Sequence, residues 1–419
     1  MTAGPPASED LPAAERVPPA AGHPTPAAGH ATPAREDAGG LPLRVTTIEL
    51  FFDLVFAFTL TQLTALLGTR PDGTDLVQVL LIFGLLWWMY DGYAWLTNTR
   101  APARTAERLL LLVGMAGFLI AGLAIPRGFG SDGLALGLGY LVVVLVHASL
   151  YFRLNRNIVR IAMFNLTSAL LVVIAGIICL RSGSGRPAGP ALRAVYPLWA
   201  LALAVQVGSP LITPLRGRFE IQPSHFVERH GALVIVAIGE SIAAIGIGAR
   251  GAAVDLSLVT ACILGLALAA VLWWAYFGAG DDDRADRAMA AASPADRPGL
   301  ALSAFFYAHI PILLGIVGVA AGVMAAISSG GQPQPAAALS LGGGTALFLG
   351  GQAAFRRALR IGPVRLRAAG AAFALATSVL GATVAIEAQL AAAAAGLAAI
   401  LVLGARAADG ATAPGAKAG

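Results

Sequence analysis

Apolar residues recur along this chain in blocks of about 20, and short breaks that carry Arg or Gly separate the blocks. An α-helix needs about 20 apolar residues to cross a bilayer, whereas a membrane β-barrel would show alternating segments of about ten residues. The pattern therefore predicts a bundle of twelve membrane-spanning helices. The predicted spans run over 46–67, 76–97, 107–125, 133–152, 158–180, 193–213, 229–249, 254–278, 301–327, 336–355, 368–386 and 388–405.

The composition also indicates an all-α integral membrane protein whose main partner is the lipid bilayer. Hydrophobic residues make up 57% of the chain, against roughly 45–50% in an average soluble domain. The net charge of +5 does not indicate nucleic acid, because basic residues in membrane proteins first report orientation. Cys179 and Cys262 lie within apolar blocks, so we expect no disulfide framework, metal cluster or cofactor.

The two ends of the chain differ from the apolar blocks. Residues 1–43 are rich in Ala, Pro and Gly and have no periodic apolar face, which predicts a disordered tail. The tail lacks the basic start and apolar core of a signal peptide, so we expect it to stay attached and cytosolic. Residues 409–419 form a second predicted disordered tail.

The distribution of basic residues predicts the orientation. Alternate connections on one side hold 22 of the 28 Lys and Arg residues, because only Arg70, Arg127, Arg181, Arg186, Arg193 and Arg250 fall on the other side. Basic residues are retained on the cytoplasmic side, so both termini are predicted to be cytoplasmic. All basic residues but Lys417 are Arg, a bias typical of GC-rich bacterial genes, which indicates a bacterial cytoplasmic membrane.

The chain shows signs of an internal duplication. Glu49 precedes Gln62 by thirteen residues, as Glu228 precedes Ser241, and the next span in each case carries a Trp pair. The pairs are Trp87-Trp88 and Trp273-Trp274. Six spans per copy give both copies the same orientation, so we predict two parallel six-helix repeats, residues 44–215 and 216–408. The alternative is a chance recurrence of aromatic pairs near the membrane surface.

Glu240 lies within the hydrophobic seventh span. A charge at the centre of a span costs roughly 2.5–3.5 kcal/mol on insertion scales, so such a residue is paired, faces a cavity or is protonated. Glu240 is therefore a candidate for coupling protons or binding a substrate. The structural alternative is a protonated Glu240 bonded to a neighbouring helix, for example to Gln206.

The predicted spans place six other polar residues at similar depths in the membrane, near the predicted cytoplasmic side. Glu49 and Asp53 are four apart and share a helix face. We expect these groups to line one inward-facing vestibule, or alternatively to pair with interfacial arginines; for Glu49 we favour a capping role in the first turn. The set is Glu49, Asp53, Asp91, His147, Asn165 and His309, the last followed by Pro311, which interrupts its helix.

The segment before the seventh span carries several potential metal ligands. His225, Glu228 and His230 do not have the spacing of zinc hydrolases, in which two His residues lie four apart around a Glu. We therefore expect no metal, and interpret Glu228, Arg229 and His230 as a polar collar at the helix start, with Ser224 available as a cap.

Two long segments resemble a known family. VTTIELFFDLVFAFTLTQLTALL and HFVERHGALVIVAIGESIAAIG closely resemble the signature segments of the bacterial low temperature requirement A (LtrA) family of multi-pass membrane proteins. The resemblance spans about residues 44–405. It implies a bacterial membrane protein linked to growth in the cold, with no settled biochemical activity.

A looser similarity concerns the first span alone. The run from Phe52 to Ala57 is similar to the first-helix signature, Phe-Ser-Asp followed by Gly-Val-Phe-Ala, of a potassium-channel family built from six-helix repeats. Phe52 replaces its Ser, and Leu54 replaces its Gly. This similarity implies an ion channel as one alternative function.

We favour a secondary transporter or permease for a small solute or ion. Glu240 would couple protons or bind the substrate, and Asp53, Asp91 and His309 would line the cytoplasmic path. A membrane enzyme is the least favoured class, because the sequence offers no nucleophile with a base at catalytic spacing and no phosphate-binding Gly loop. The substrate and the oligomeric state are not specified by the sequence.

Overall fold

The protein is described here by a computed structural model. The structure describes residues 45–69, 73–99, 102–152, 159–182, 190–212, 221–328 and 332–412, together with Met1, Thr2 and Gly4. Side chains at 69, 151–152, 190–192, 211–212 and 406–412 are not included. The predicted N-terminal tail lies outside the described residues except at those three positions.

The described chain folds into α-helices joined mostly by short connections. Their bounds are α1 Thr47–Thr69, α2 Gly73–Thr99, α3 Thr105–Ala124, α4 Gly133–Phe152, α5 Val159–Arg181, α6 Pro190–Ile212, α7 Pro223–Gly248, α8 Leu256–Phe277, α9 Asp281–Ala291, α10 Arg297–Ala301, α11 His309–Ser328, α12 Pro335–Leu359, α13 Arg365–Thr383 and α14 Ile386–Thr412. A 3₁₀ turn, Ile125–Arg127, follows α3, and a π-helical turn, Leu302–Tyr307, joins α10 to α11.

Ten helical stretches of the described residues are long and apolar enough to cross a membrane. They are Thr47–Gly68, Gly73–Thr99, Thr105–Arg127, Gly133–Leu150, Val159–Arg181, Pro223–Gly248, Leu256–Ala291, Arg297–Ser328, Arg365–Thr383 and Ile386–Ala405. The predicted all-α membrane class is confirmed. The two other predicted spans, 193–213 and 336–355, coincide with α6 and α12, which are not among the ten.

Helix α7 begins earlier than predicted. It starts at Pro223 rather than near 229, so the segment predicted to precede the helix is part of it. Proline is favoured at the first helical position, where its missing N–H removes no hydrogen bond. Gln222 is therefore the N-cap residue, and Ser224 is not. Two further turns of helix bring His225 and Arg229 onto one face, because they are four residues apart.

Helix α11 is the centre of the bundle. Of its most apolar stretch, 83% is buried, and it packs against α1, α7, α8 and α12. Its contact with α12 is close because glycines face each other: a side-chain carbon on Gly344 would lie 2.6 Å from the Val319 nitrogen, and one on Gly315 would lie 2.5 Å from the Phe348 nitrogen. Small residues let membrane helices approach until their backbones touch, which gives this pair its packing energy.

The order of helix contacts is similar in two parts of the chain. In the first part, α1 contacts α2 and α3, successive helices from α3 to α6 contact each other, and α6 returns to α2. In the second part, α7 contacts α8 and α11, successive helices from α11 to α14 contact each other, and α14 returns to α8. The first helices of the two parts, α1 and α7, contact each other directly.

Candidate functional site

A single buried arginine joins three helices at the end of the bundle where α1 and α7 begin. Arg229 of α7 is 1% exposed. Its Nη1 donates to Glu49 Oε1 (3.1 Å) and to the Thr97 hydroxyl, and its Nη2 donates to Asp53 Oδ1 (3.2 Å). Since Glu49 and Asp53 belong to α1 and Thr97 to α2, one guanidinium holds α1, α2 and α7 together. We call Arg229, Glu49, Asp53, Thr97 and Tyr90 the Arg229 network.

The Glu49 carboxylate accepts hydrogen bonds from the start of its own helix and is contacted by His225 of α7. Its Oε2 accepts from the Thr46 backbone N–H (2.8 Å) and hydroxyl (2.7 Å), so it caps the first turn of its own helix as predicted. On the other side, His225 Nε2 lies 3.2 Å from Oε1. Removing a carboxylate from water is tolerated only when such donors replace the lost hydration.

The tautomer of His225 follows from its neighbours. The Gln222 backbone N–H donates to Asn98 Oδ1, and Asn98 Nδ2 donates to the Gln222 carbonyl, at 2.9 Å each, which fixes the orientation of the amide. Asn98 Nδ2 lies 3.2 Å from His225 Nδ1 and must be the donor there. The hydrogen of neutral His225 is therefore on Nε2, where it is donated to Glu49.

The two carboxyl oxygens of Asp53 differ in their hydrogen bonds. Its Oδ1 accepts from the Tyr90 hydroxyl (2.7 Å) and from Arg229, whereas its Oδ2 is buried without a hydrogen-bond partner. Aromatic rings surround the pair, because the Arg229 guanidinium carbon lies 5.8 Å from the Phe52 ring centre and 5.6 Å from that of Tyr90. Such rings attract a desolvated cation and exclude water from it.

His230 and Asp91 form a second buried pair. His230 Nδ1 lies 2.9 Å from the Phe226 carbonyl oxygen, and His230 Nε2 lies 3.3 Å from Asp91 Oδ1. A carbonyl oxygen only accepts, so Nδ1 carries a hydrogen. The imidazole Nε2 and the carboxylate are then both acceptors unless one proton is bound between them. The pair therefore holds one shared proton, on either the carboxyl or the ring.

His309 lies next to this pair. The ring centres of His230 and His309 are 5.3 Å apart, and His309 Nε2 lies 2.9 Å from the Tyr276 hydroxyl. His309 Nδ1 lies 2.9 Å from the Ala304 carbonyl, five residues earlier in the π-helical turn. π-helical turns inside α-helices often mark functional sites.

Glu240 lies apart from these groups. It is eleven residues beyond Arg229, a rise of roughly 16 Å along α7. It is 6% exposed, and the Thr61 hydroxyl of α1 contacts its Oε2 at 2.5 Å. Its Oε1 is buried without a hydrogen-bond partner. The predicted alternative partner, Gln206, instead contacts Tyr140 and lies 3.5 Å from Asn165 Oδ1.

The contacts show that α1 and α7 run in the same direction. Residues 49 and 53 of α1 meet Arg229 at one end, and residue 61 meets residue 240 further along both helices. Residues 61 and 240 are 179 positions apart, the same offset that separates Glu49 from Glu228.

The six polar residues predicted to line one vestibule lie in separate places in the structure. Glu49 and Asp53 share Arg229, and Asp91 and His309 flank His230. Asn165 belongs to another cluster, where its Oδ1 accepts from the Trp88 indole (3.1 Å), and His147 packs against the Tyr93 ring, 5.1 Å between centres. These six groups therefore do not form one shared cluster. Gln62 is half-buried.

The three residues of the predicted polar collar do not share one environment. Glu228 is exposed, but Arg229 and His230 are 1% and 0% exposed, because their face of α7 packs against α1 and α2. Among the described residues, no three His, Cys, Asp or Glu side chains are grouped so that they could hold a metal ion.

Several contributing residues were not singled out from the sequence. Tyr90, Thr97 and Asn98 follow the first Trp pair on α2, and Thr61 adjoins Gln62, which belongs to the predicted repeat pattern. One signal for Arg229 was available: two acids on one buried face require a cation, and Arg229 is the only basic residue within the predicted seventh span, 229–249.

The fold and the buried ionic network define a multi-pass α-helical membrane protein in which a buried arginine pairs with two acids at a helix contact. The family described as "Bacterial low temperature requirement A protein (LtrA)" matches residues 44–405. The chain belongs to this family, which confirms the resemblance of its two long segments. An uncharacterized protein of Rhizobium meliloti (strain 1021) is 30% identical over 286 residues, 65% of this chain and 67% of that protein.

Proposed function

We propose that the protein is a secondary transporter or permease in which Glu240 binds a proton or the substrate. The observation that carries the proposal is the burial of this carboxyl group and its incomplete hydrogen bonding. It is buried in an apolar helix, one hydroxyl of the facing helix contacts it, and its second oxygen has no hydrogen-bond partner. Ionisable groups inside membrane helices are costly and typically serve ion or proton pathways.

The Thr61 hydroxyl suits a carboxyl group that changes its protonation state. Thr61 Oγ1 lies 2.5 Å from Glu240 Oε2 and 3.4 Å from the Ala57 carbonyl. An ionised Glu240 accepts the hydroxyl hydrogen. A protonated Glu240 instead donates to Thr61 Oγ1, and the hydroxyl hydrogen turns to Ala57. Both states keep a hydrogen bond across the contact between α1 and α7.

The proposal includes two six-helix halves of the same orientation. It is supported by the parallel course of α1 and α7, by the similar order of helix contacts in the two parts, and by the 179-residue offset between Thr61 and Glu240. In this arrangement the two residues occupy equivalent positions in the halves and meet at the axis that relates them. Transporters built from repeats commonly bind substrate at such an interface.

Asp53, Asp91 and His309 form the cytoplasmic end of the path in this proposal. The proton shared by Asp91 and His230 lies next to His309, which makes these side chains suitable for holding protons near that end. The low-temperature requirement in the family description belongs to the same proposal: a strain that needs the protein for growth in the cold should also need Glu240.

Proton flux in proteoliposomes tests the proposal. Purified full-length protein is reconstituted with an internal pH-sensitive dye, and a potassium diffusion potential, negative inside, is imposed with valinomycin. Wild-type protein should acidify the interior faster than empty liposomes across pH 5–8, alone or when a panel of small organic ions is supplied. Glu240→Gln should remove this excess flux, because the amide cannot bind and release a proton.

Glu228→Gln is the matched control, since it makes the same change at an exposed position of the same helix. It should leave the flux unchanged. The proposal fails if wild-type liposomes show no excess flux under any condition, or if Glu240→Gln and Glu228→Gln behave alike.

A further inference from the structure

The turn between α12 and α13 forms a pocket lined largely by arginines. Its volume is about 560 Å³, and its lining residues are Arg356, Arg357, Arg360, Gly362, Pro363, Val364 and Arg365. None of these residues is acidic. A concave site with four guanidinium groups has the charge and the planar donors that bind phosphate oxygens in pairs.

One of the four arginines, Arg356, is already paired with a buried acid, Asp281, which also contacts Arg284. Arg356 Nε donates to Asp281 Oδ2 (2.7 Å) and Nη2 donates to Asp281 Oδ1 (3.0 Å), and Nη1 donates to the Pro363 carbonyl (3.2 Å). This bidentate pair is buried and fixes the turn against α9. The remaining acids of α9 that lie near the start of the helix, Asp282 and Asp283, are exposed and do not line the pocket.

The other three arginines, Arg357, Arg360 and Arg365, are exposed. No described ion pair involves them, so the pocket carries about three uncompensated positive charges. Like charges held this close repel each other unless an anion lies between them.

Arg360 has an unusual backbone conformation. Among the described non-glycine residues, it alone has a positive φ, 57°, at the position that ends α12. Glycine is the default residue at such a helix end because a side chain is strained there. Arg360 therefore lines the pocket at the cost of some backbone strain, a feature that also occurs at functional sites.

The start of α13 adds backbone donors to the pocket. Val364 occupies its N-cap position and has no side-chain acceptor, and α13 continues for 19 residues. The first N–H groups of a helix lack partners within the helix and favour anions. Here they adjoin the arginines in the same pocket.

We propose that this pocket binds a phosphate group, carried by an anionic phospholipid or by a small phosphorylated solute. Helix α13 is a candidate membrane span and begins at the pocket, so the site lies at a membrane surface, at the level of lipid phosphates. The predicted orientation places it on the cytoplasmic side, where basic pockets between helices bind anionic head groups.

Thermal unfolding of the purified full-length protein in an uncharged detergent tests this site. Phosphatidylglycerol, phosphatidylcholine and inorganic phosphate are titrated separately at constant ionic strength. A ligand that binds only the folded state raises the melting temperature, and we expect a rise of roughly 3–6 °C with saturating phosphatidylglycerol and none with phosphatidylcholine. An equal rise with inorganic phosphate alone identifies a free phosphate compound rather than a lipid as the ligand.

The test variant is Arg357→Gln, Arg360→Gln and Arg365→Gln combined. The control combines Arg160→Gln, Arg250→Gln and Arg287→Gln, which removes three charges from exposed arginines elsewhere. The stabilisation should disappear in the test variant and persist in the control. Equal stabilisation of both variants, or no stabilisation of the wild type by any of the anions, overturns the proposal.

Discussion

Thr61 and Glu240 meet across the contact between α1 and α7, with 2.5 Å between the hydroxyl oxygen and the carboxyl oxygen. They are 179 residues apart in the chain, and the helices that carry them run in parallel. In the proposed arrangement of two halves, separation of α1 from α7 would break this hydrogen bond and leave the Glu240 carboxyl group without its Thr61 partner.

Replacement of Thr61 should therefore affect flux through Glu240. Thr61→Val removes the hydroxyl at nearly constant volume and leaves both carboxyl oxygens without a partner. We expect it to reduce proton uptake in the dye assay at least tenfold, whereas Thr61→Ser, which keeps the hydroxyl, should retain most of the activity; about 1.4 kcal/mol in the barrier accounts for a factor of ten. Equal rates for Val and Ser variants would show that the hydroxyl has no part in transport.

Arg229 should dominate the stability of its end of the bundle. Arg229→Met leaves Glu49 and Asp53 as buried acids without their shared cation, so we expect the free energy of unfolding to fall by about 3–5 kcal/mol. Equilibrium unfolding of the purified protein in mixed detergent micelles measures the change. The control, Arg250→Met, alters an exposed arginine and should change stability by less than about 0.5 kcal/mol. Similar values for the two variants would contradict the proposed network.

The pair of His230 and Asp91 predicts an asymmetry between two substitutions. Asp91→Asn provides an amide N–H that donates to His230 Nε2, so the buried pair keeps a hydrogen bond without needing a shared proton. His230→Leu leaves a buried carboxyl group without its partner. We expect the first change to cost less than about 1 kcal/mol in stability and the second about 2–4 kcal/mol. The reverse order in the same unfolding assay would rule out the shared proton.

The close contact of α11 and α12 is testable with adjacent glycines of one helix. A side-chain carbon on Gly344 would lie 2.6 Å from the backbone of α11, whereas one on Gly343 would meet nothing within 4 Å. Gly344→Val should therefore destabilise the protein by about 2 kcal/mol or more through overpacking. Gly343→Val makes the same change in an open position and should be tolerated; equal loss of stability in both would indicate a helix-propensity effect instead.

The predicted orientation has a direct chemical test. In a background of Cys179→Ala and Cys262→Ala, single cysteines replace Arg250 or Arg287, both exposed. A membrane-impermeant maleimide added to intact cells should label the cysteine at 250 and reach the one at 287 only after lysis. Labelling of the cysteine at 287 in intact cells would reverse the assignment of the cytoplasmic side.

The helices were predictable from the sequence because an apolar run of the required length has few alternatives to a membrane helix. All twelve predicted spans coincide with helices, although ten stretches meet the criteria for a span. The exception in position is the start of α7. There, polar residues resembled a surface segment, while their burial depends on acids of α1 that are nearly 180 positions away in the chain.

The candidate site was only partly predictable for the same reason. The spacing of Glu49 and Asp53 indicated one shared face, and both do contact a single cation. The sequence could not identify that cation as Arg229 rather than an interfacial arginine, nor separate Asn165 and His147 from Asp91, because helix depth alone does not specify which faces meet. Glu240 was identified from its apolar surroundings, but its partner Thr61 is an ordinary residue in a membrane helix.

The positions of the two contacts between α1 and α7 have a mechanical consequence. Near the start of both helices Arg229 joins α1, α2 and α7 with charged hydrogen bonds, whereas further along one hydroxyl–carboxyl hydrogen bond links α1 to α7. Such a pair opens most easily at its weaker end, with the charged end as the pivot. In the proposed transporter, α1 and α7 would therefore separate first beside Glu240, while Arg229 keeps their other polar contact closed.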